Sequence, residues 1–423
     1  MTTTTATPPA EFCHLDLANG VEFAAELLPQ RQTVAICCRL LTGLADEPPE
    51  LTGINGIVER TLSKGTRRFD GRGLADAFDA LGASWSSASG RQSTLVRVVC
   101  LPEFTLAALD LVGEMVCHPT FPDDACRVAI DLAQQELRRM EDEPDELLRA
   151  LIQRLTLGPV LGRHPGGEPE TLGRLTPDLV RAHWQRCYHA GRMQIAAAGP
   201  VVPERLAAHI EQTFAGLGSS ERAGRAPAAV EFQPQRVHRQ KELEQQYIGI
   251  TLPGLAREDP GFVVEQVALR VLSGGMSGRL FTEVREKLGL VYWVGAWHEQ
   301  PRGHGVIHLG ASTTPERCHQ TFEKLLTELA RLAEDLTAEE VTRARDGLIA
   351  HYETESDLTR ARAGGLSDDL FHHGRPIGLG PKLAAIRAVT REHVADYAGR
   401  LPRDRLCVAT LGPRAVLSPS AEG

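Results

Sequence analysis

Thr52-Gly53-Ile54-Asn55-Gly56-Ile57-Val58-Glu59-Arg60-Thr61-Leu62-Ser63-Lys64-Gly65-Thr66 is the stretch that orders the reading of this 423-residue chain. Apolar residues at 54, 57, 58 and 62 recur at helical spacing and mark one buried face. Residues 56, 59 and 60 stand at i, i+3 and i+4 and share a different face. A His-x-x-Glu-His string at those positions would aim two imidazoles at one zinc ion, with the carboxylate beside the bound water. The string here is Gly-x-x-Glu-Arg. Gly56 has no side chain to offer, and a guanidinium carries donors but no lone pair for a metal. A mid-helix glycine costs roughly 1 kcal/mol against alanine, and one expectation is that Gly56 makes room for Arg60.

Outward from this stretch, the chain reads as two copies of one plan. LTPDLVRAHWQRCYHAGRMQIAAAGP closes the first half and VTREHVADYAGRLPRDRLCVATLGP the second, with Thr176 matching Thr390 and Gly199-Pro200 matching Gly412-Pro413. Each string predicts a Thr-capped helix, a turn, and a buried strand stopped by Gly-Pro. LADAFDALGASW and LFTEVREKLGLVYW likewise both predict helix, glycine stop and strand, with Gly82 matching Gly289. Long helices are expected over 122–140 and 315–333. The Gly-, Ala-, Ser- and Pro-rich stretch 215–240 lacks periodicity and reads as a linker. The expected organisation is a disordered lead over 1–11, α+β domains over 12–214 and 241–415 joined by that linker, and a tail over 416–423. Each domain is expected to pack a mainly antiparallel sheet with helices.

The stretch 52–66 resembles the insulinase/pitrilysin family of zinc metallopeptidases, whose active members read roughly G-L-x-H-F-x-E-H-x-x-F-K-G-T. Gly53, Glu59 and Lys64-Gly65-Thr66 agree, whereas Gly56 and Arg60 stand where the histidines belong. The resemblance implies a third metal position 76 residues beyond Arg60, which falls on Glu136 in QQELRRMEDEPDE. In the second half, Gly274-Gly275-Met276-Ser277-Gly278-Arg279-Leu280-Phe281 leads into Glu283-Val284-Arg285-Glu286-Lys287-Leu288-Gly289-Leu290-Val291-Tyr292. This is similar to the family motif in which an arginine and a tyrosine seven residues on point at substrate; Arg285 and Tyr292 take those places. The resemblance also implies that 83–89 is an edge strand to which an extended peptide could add.

From this follow the functional expectations. The chain holds no metal of its own, and Arg60 bridges Glu59 and Glu136, relieving their repulsion as a metal would. It is expected to be the non-catalytic, substrate-binding subunit of a heterodimeric zinc peptidase, a zinc-less pseudo-peptidase. Its partner would be a homologous subunit with His-x-x-Glu-His that carries the zinc, and its substrate a peptide or unfolded polypeptide. Two alternatives stand beside it: an assembly subunit resembling the core proteins of a respiratory complex, and a stand-alone metallopeptidase with an unrecognised metal site.

Bulk properties narrow the field. A formal charge of −9 without a basic stripe argues against nucleic acid as a partner. No run reaches the roughly 18–20 apolar residues of a membrane span, and the polar, Thr/Pro-rich start reads as no signal peptide. Nine cysteines without CxxC spacing, Cys37-Cys38 among them in an apolar run, read as reduced structural thiols in a cytoplasmic protein. Gly274 and Gly275 read as a tight turn rather than a phosphate cradle. His298, His304 and His308 have no metal-ligand spacing, with His304 in a hairpin turn, and His372-His373 reads as a loop or helix-end pair.

Overall fold

Two sheets repeat one strand plan. The computed structural model describes residues 11–218, 230 and 232–415. The first sheet contains β1 (Glu11–Asp16), β2 (Glu22–Leu27), β3 (Val34–Leu40), β4 (Ser84–Ser89), β5 (Thr94–Cys100) and β6 (Met193–Gly199), in the order β1-β2-β6-β3-β5-β4. The second contains β7 (Gln235–Gln240), β8 (Gln246–Gly254), β9 (Val291–Glu299), β10 (Gly305–Thr313) and β11 (Cys407–Gly412), in the order β7-β11-β8-β10-β9. Without β1 the two orders superimpose strand for strand. Even the one parallel pair recurs, β2 with β6 and β7 with β11, in otherwise antiparallel sheets. The duplication read from the terminal strings is thus a duplication of topology, and the fold is α+β as expected.

The local signals act as their chemistry dictates. Thr176 and Thr390 cap the helices Pro177–Cys187 and Arg391–Gly399, each accepting from the backbone N–H three residues on. Gly82 and Gly289 take left-handed φ of 59° and 58°, ending a helix before β4 and β9 respectively. The long helices run Asp123–Glu141 and Cys318–Glu334. His372 and His373 end the helix Thr359–His373 before left-handed Gly374.

Two expectations need correction. Residues 235–240 of the supposed linker form β7, and Glu11 of the supposed lead already belongs to β1. QRVHRQ shows no apolar alternation because β7 is an edge strand with mostly exposed side chains, held to β11 by its backbone. Residues 219–229 and 231 of the linker, 1–10 of the lead and the tail 416–423 lie outside the described residues.

By packing, the described residues form two units that are not the contiguous blocks 12–214 and 241–415. One unit comprises 11–134, 165–218 and 353–382; the other comprises 135–164, 232–352 and 383–415. The halves thus exchange equivalent helices. In the first unit, Ala363, Leu366 and Leu370 of the helix Thr359–His373 cover Ala24, Ala35, Ala196 and Ala198 of the sheet. In the second, Leu147, Leu148 and Ile152 of the helix Pro144–Thr156 cover Cys407, Ala409 and Leu411. Small strand residues let each helix lie close, and each buried Leu or Ile contributes about 1.5–3 kcal/mol. The opposite face of the second sheet packs Ile248, Ile250, Ile307 and Leu309 against the helices Phe262–Ser273 and Cys318–Glu334.

Candidate functional site

In the first unit, the sequence 52–66 folds into the helix Ile54–Thr61. Ile54, Ile57, Val58 and Leu62 are all buried, as their spacing predicts. Glu47 holds the helix start, its carboxylate accepting from Gly53 N at 2.8 Å and Asn55 N at 2.9 Å. These are N–H groups that the helix itself leaves unpaired. Buried Asn55 donates to Ser89 Oγ at 2.7 Å and Thr94 Oγ1 at 2.8 Å, tying the helix to β4 and β5. Gly53 has φ 99°, and a Cβ there would meet Gly167 Cα at 2.8 Å, so only glycine fits.

The face carrying 56, 59 and 60 is well held but lacks metal ligands. A Cβ built on Gly56 meets only Pro165 O, at 3.8 Å. No side-chain atom of Arg60 lies within 4 Å of that position. Glu59 accepts a hydrogen bond from the Ser87 hydroxyl of β4, a partner that sequence reasoning missed. Glu136 is an exposed residue of the helix Asp123–Glu141, past the point where the second unit begins. Among the described residues no three His, Cys, Asp or Glu side chains gather as a metal would need. A glycine and a guanidinium do not fit a zinc ion at positions 56 and 60. The strand 83–89 resolves as β4, at the edge of its sheet as expected.

In the second unit, Gly275 turns the chain at φ 94° and Gly278 N donates to Gly275 O at 3.0 Å, the tight turn expected there. Leu280–Lys287 then winds as a π-helix, a form found at single turns and often at functional sites. Arg279 anchors its start. The guanidinium is buried and bonds Glu340 at 2.7 and 2.8 Å and Asp335 at 2.8 Å. Burial pushes the Glu340 carboxyl up, but the Arg279 guanidinium and the Thr337 donors outweigh it and bring it down to about 2. Leu280 and Val284 enter the core. On the outward side, Arg285 is exposed with its guanidinium 5.1 Å from the Phe281 ring centroid. Gly289 N donates to Arg285 O at 3.1 Å and closes the helix, and β9 begins. Tyr292, its second residue, is 58% exposed. The seven-residue spacing therefore spans one helix end and one strand start.

The histidines of the β9–β10 hairpin are absorbed structurally. His308 lies 3.2 Å from Glu299 and stacks on Trp297. Burial, with Arg257 and His308 nearby, brings the His298 ring down to about 4. All nine cysteines are free, and all but Cys13 are buried. No helix among the described residues is long and apolar enough to cross a membrane.

Against known families, residues 22–161 match the model for insulinase (peptidase family M16), and residues 174–348 match that for the peptidase M16 inactive domain. This chain belongs to the M16, or insulinase, peptidase family. It is 27% identical over 399 residues to an uncharacterized zinc protease of Bacillus subtilis, covering 93% of this chain and 97% of that one. An uncharacterized zinc protease of Streptomyces coelicolor is also 27% identical, over 408 residues, covering 94% and 88% of the two chains. Among solved structures, a peptidase M16 inactive domain from Pseudomonas fluorescens matches with a TM-score of 0.87 at 20% identity, covering 96% of this chain and all of that one. A Helicobacter pylori protease matches with the same TM-score at 14% identity, covering 95% and 99%.

Proposed function

We propose that this chain is the metal-free, substrate-binding subunit of a two-chain M16 peptidase, presenting Arg285 and Tyr292 at the cleavage site of a zinc-bearing partner. One observation carries the reading. The helix that would hold a metal keeps its scaffold but has Gly56 and Arg60 in place of ligands, while Arg285 and Tyr292 stand exposed on an anchored helix and strand. The partner is a homologous subunit with an intact His-x-x-Glu-His, and the substrate is a peptide or an unfolded segment. A guanidinium and a phenol are donors, suited to a peptide carbonyl oxygen and to the oxyanion it becomes. This chain alone should hold well under one zinc per molecule by elemental analysis; a value near one after dialysis would defeat the reading.

The decisive experiment is peptide hydrolysis by the reconstituted pair. Tyr292→Phe removes one hydroxyl and Arg285→Ala one guanidinium, so complexes should form normally by size-exclusion chromatography. Loss of a preorganised oxyanion donor costs roughly 2.7–4 kcal/mol, and turnover should fall about 100- to 1000-fold. Variant complexes that assemble and cleave at the wild-type rate would replace this reading with the assembly role.

A further inference from the structure

Aromatic side chains are scarce in this chain, and most are packed. Trp85 stacks on Phe78 and Trp184 meets Phe121 edge-on. Among the described residues the exposed aromatics are Tyr292, Trp293 and Trp297, all on β9. Trp293, Gly295 and Trp297 share one face of that strand by the period of two.

The register explains why the indoles lie as they do. Gly295 of β9 pairs with Gly310 of β10, and Gly310 with Gly249 of β8, so three glycines form one row across three strands. A Cβ at Gly310 would come within 2.8 Å of Trp293 and 3.1 Å of Trp297. The indoles therefore lie over the glycine row where a side chain would stand. Trp297 is further held by His308, its ring 5.2 Å away and nearly parallel at 4°. Leu148 and Ile152 wall the other side, with Asp145 and Arg149 beside them, around a cavity of about 280 Å³.

β9 is also an edge strand, regular along its pairing with β10 from Trp293 to Glu299 and shifted in register only at Tyr292. Edges are normally blunted by lysine, proline or inward charge. Val291–Glu299 reads VYWVGAWHE, without lysine or proline and with its one acid at the end.

We propose that this trough is a docking site for an extended polypeptide segment. Its main chain adds to the open edge of β9, and a bulky apolar or aromatic side chain seats on Trp293 and Trp297 above the glycine row. An unpaired strand edge calls for another strand, which selects a peptide over a small apolar ligand. Tyr292 directly precedes Trp293, so a segment on β9 continues towards the residue assigned above to substrate. The inference rests on the substrate-binding reading and deepens it, naming segments with large apolar residues as the preferred class.

The test uses the full chain without its partner. Extended peptides of equal length carrying a central Phe or a central Ser are added, with hydrogen exchange read over 291–299 and affinity by fluorescence anisotropy. The Phe peptide should slow exchange in β9 and bind at least about tenfold tighter than the Ser peptide. Trp293→Ala/Trp297→Ala should abolish that preference, with folding checked by circular dichroism. Equal binding of the two peptides, no protection of β9, or an unchanged preference in the double variant would overturn the proposal. So would β9 protection that appears only on mixing with the partner chain, since the face would then be a subunit interface. Because no hydrolysis is measured, any of these failures leaves the Arg285/Tyr292 result standing on its own.

Discussion

The two units share a strand order, yet they spend their anchoring on different things. In the first, Glu47 and Asn55 fix the helix Ile54–Thr61 by its backbone and one buried amide, and the face so presented carries Gly56, Glu59 and Arg60. In the second, Arg279 fixes the π-helix Leu280–Lys287, and the surface so presented carries Arg285, then Tyr292 on β9. The contrast teaches that a scaffold and its functional side chains are separable. Helix position depends on capping and core packing, which metal ligands do not supply, so ligands can be lost while the helix stays. On this view the second unit is where substitution should cost function, and the first is where it should be tolerated or even beneficial.

The largest effect that would sharpen this contrast lies at Arg279. Replacing it with Met should lower stability by roughly 3–5 kcal/mol, the usual cost of breaking a buried ion pair from one side. The difference should also depend on pH in one direction. Glu340 titrates at about 2 in the folded chain, below its ordinary value of 4.5. Its contribution is therefore complete above about pH 4.5 and is lost as pH falls towards 2. Denaturation of wild type and Arg279→Met should accordingly converge in acid. Parallel curves across that range would mean that Arg279 is not the anchor of the π-helix.

A smaller effect separates the units between pH 6.5 and 4.5. In the first unit, burial and the nearby Arg186 bring His183 down to about 4, and Arg186 donates to its Nδ1 at 3.0 Å. A depressed imidazole contributes stability above its unfolded value and loses it as pH falls. The full span is of order 3 kcal/mol at about 1.4 kcal/mol per unit. The second unit contains half-buried His298, shifted the same way, but also Glu265, whose carboxyl is raised by burial. A raised carboxyl acts with the opposite sign and gains on acidification, so the two partly offset. Hydrogen exchange at pH 7 and pH 5 should show the helix Pro177–Cys187 losing more protection than β9 and β10. Equal losses would remove the asymmetry, and His183→Gln should flatten the first unit's response.

Much of this was legible in the sequence, for reasons that also explain what was not. Thr176, Thr390, Gly82 and Gly289 act through their own backbone neighbourhood, so caps and stops could be read residue by residue. Residues 56, 59 and 60 could be read because helical spacing alone puts them on one face. The helices Pro144–Thr156 and Thr359–His373 show why packing could not: an amphipathic pattern defines a face but not the sheet that receives it. β7 was hidden because an edge strand needs no apolar alternation, and the π-helix because it leaves the pattern of buried Leu280 and Val284 intact. Trp293 and Trp297 fall on one face by alternation. Only the register, with Gly295, Gly310 and Gly249 in line, shows the floor over which they lie.

The smallest effect probes the first unit directly, at Gly56. If the helix Ile54–Thr61 were still shaped for a ligand or for the Arg60 side chain, filling position 56 would carry a cost. The geometry argues otherwise, since a Cβ there meets only Pro165 O at an ordinary van der Waals 3.8 Å. Gly56 also lacks the positive φ that makes Gly53 irreplaceable. Gly56→Ala should therefore stabilise the chain by about 0.5–1 kcal/mol, through the lower backbone entropy of its unfolded state and the better helix propensity of alanine. Gly53→Ala should destabilise it by more than that. Chemical denaturation of the two variants reads both signs. A destabilised Gly56→Ala would mean that position 56 needs its glycine, and the proposed contrast between the two units would have to be redrawn.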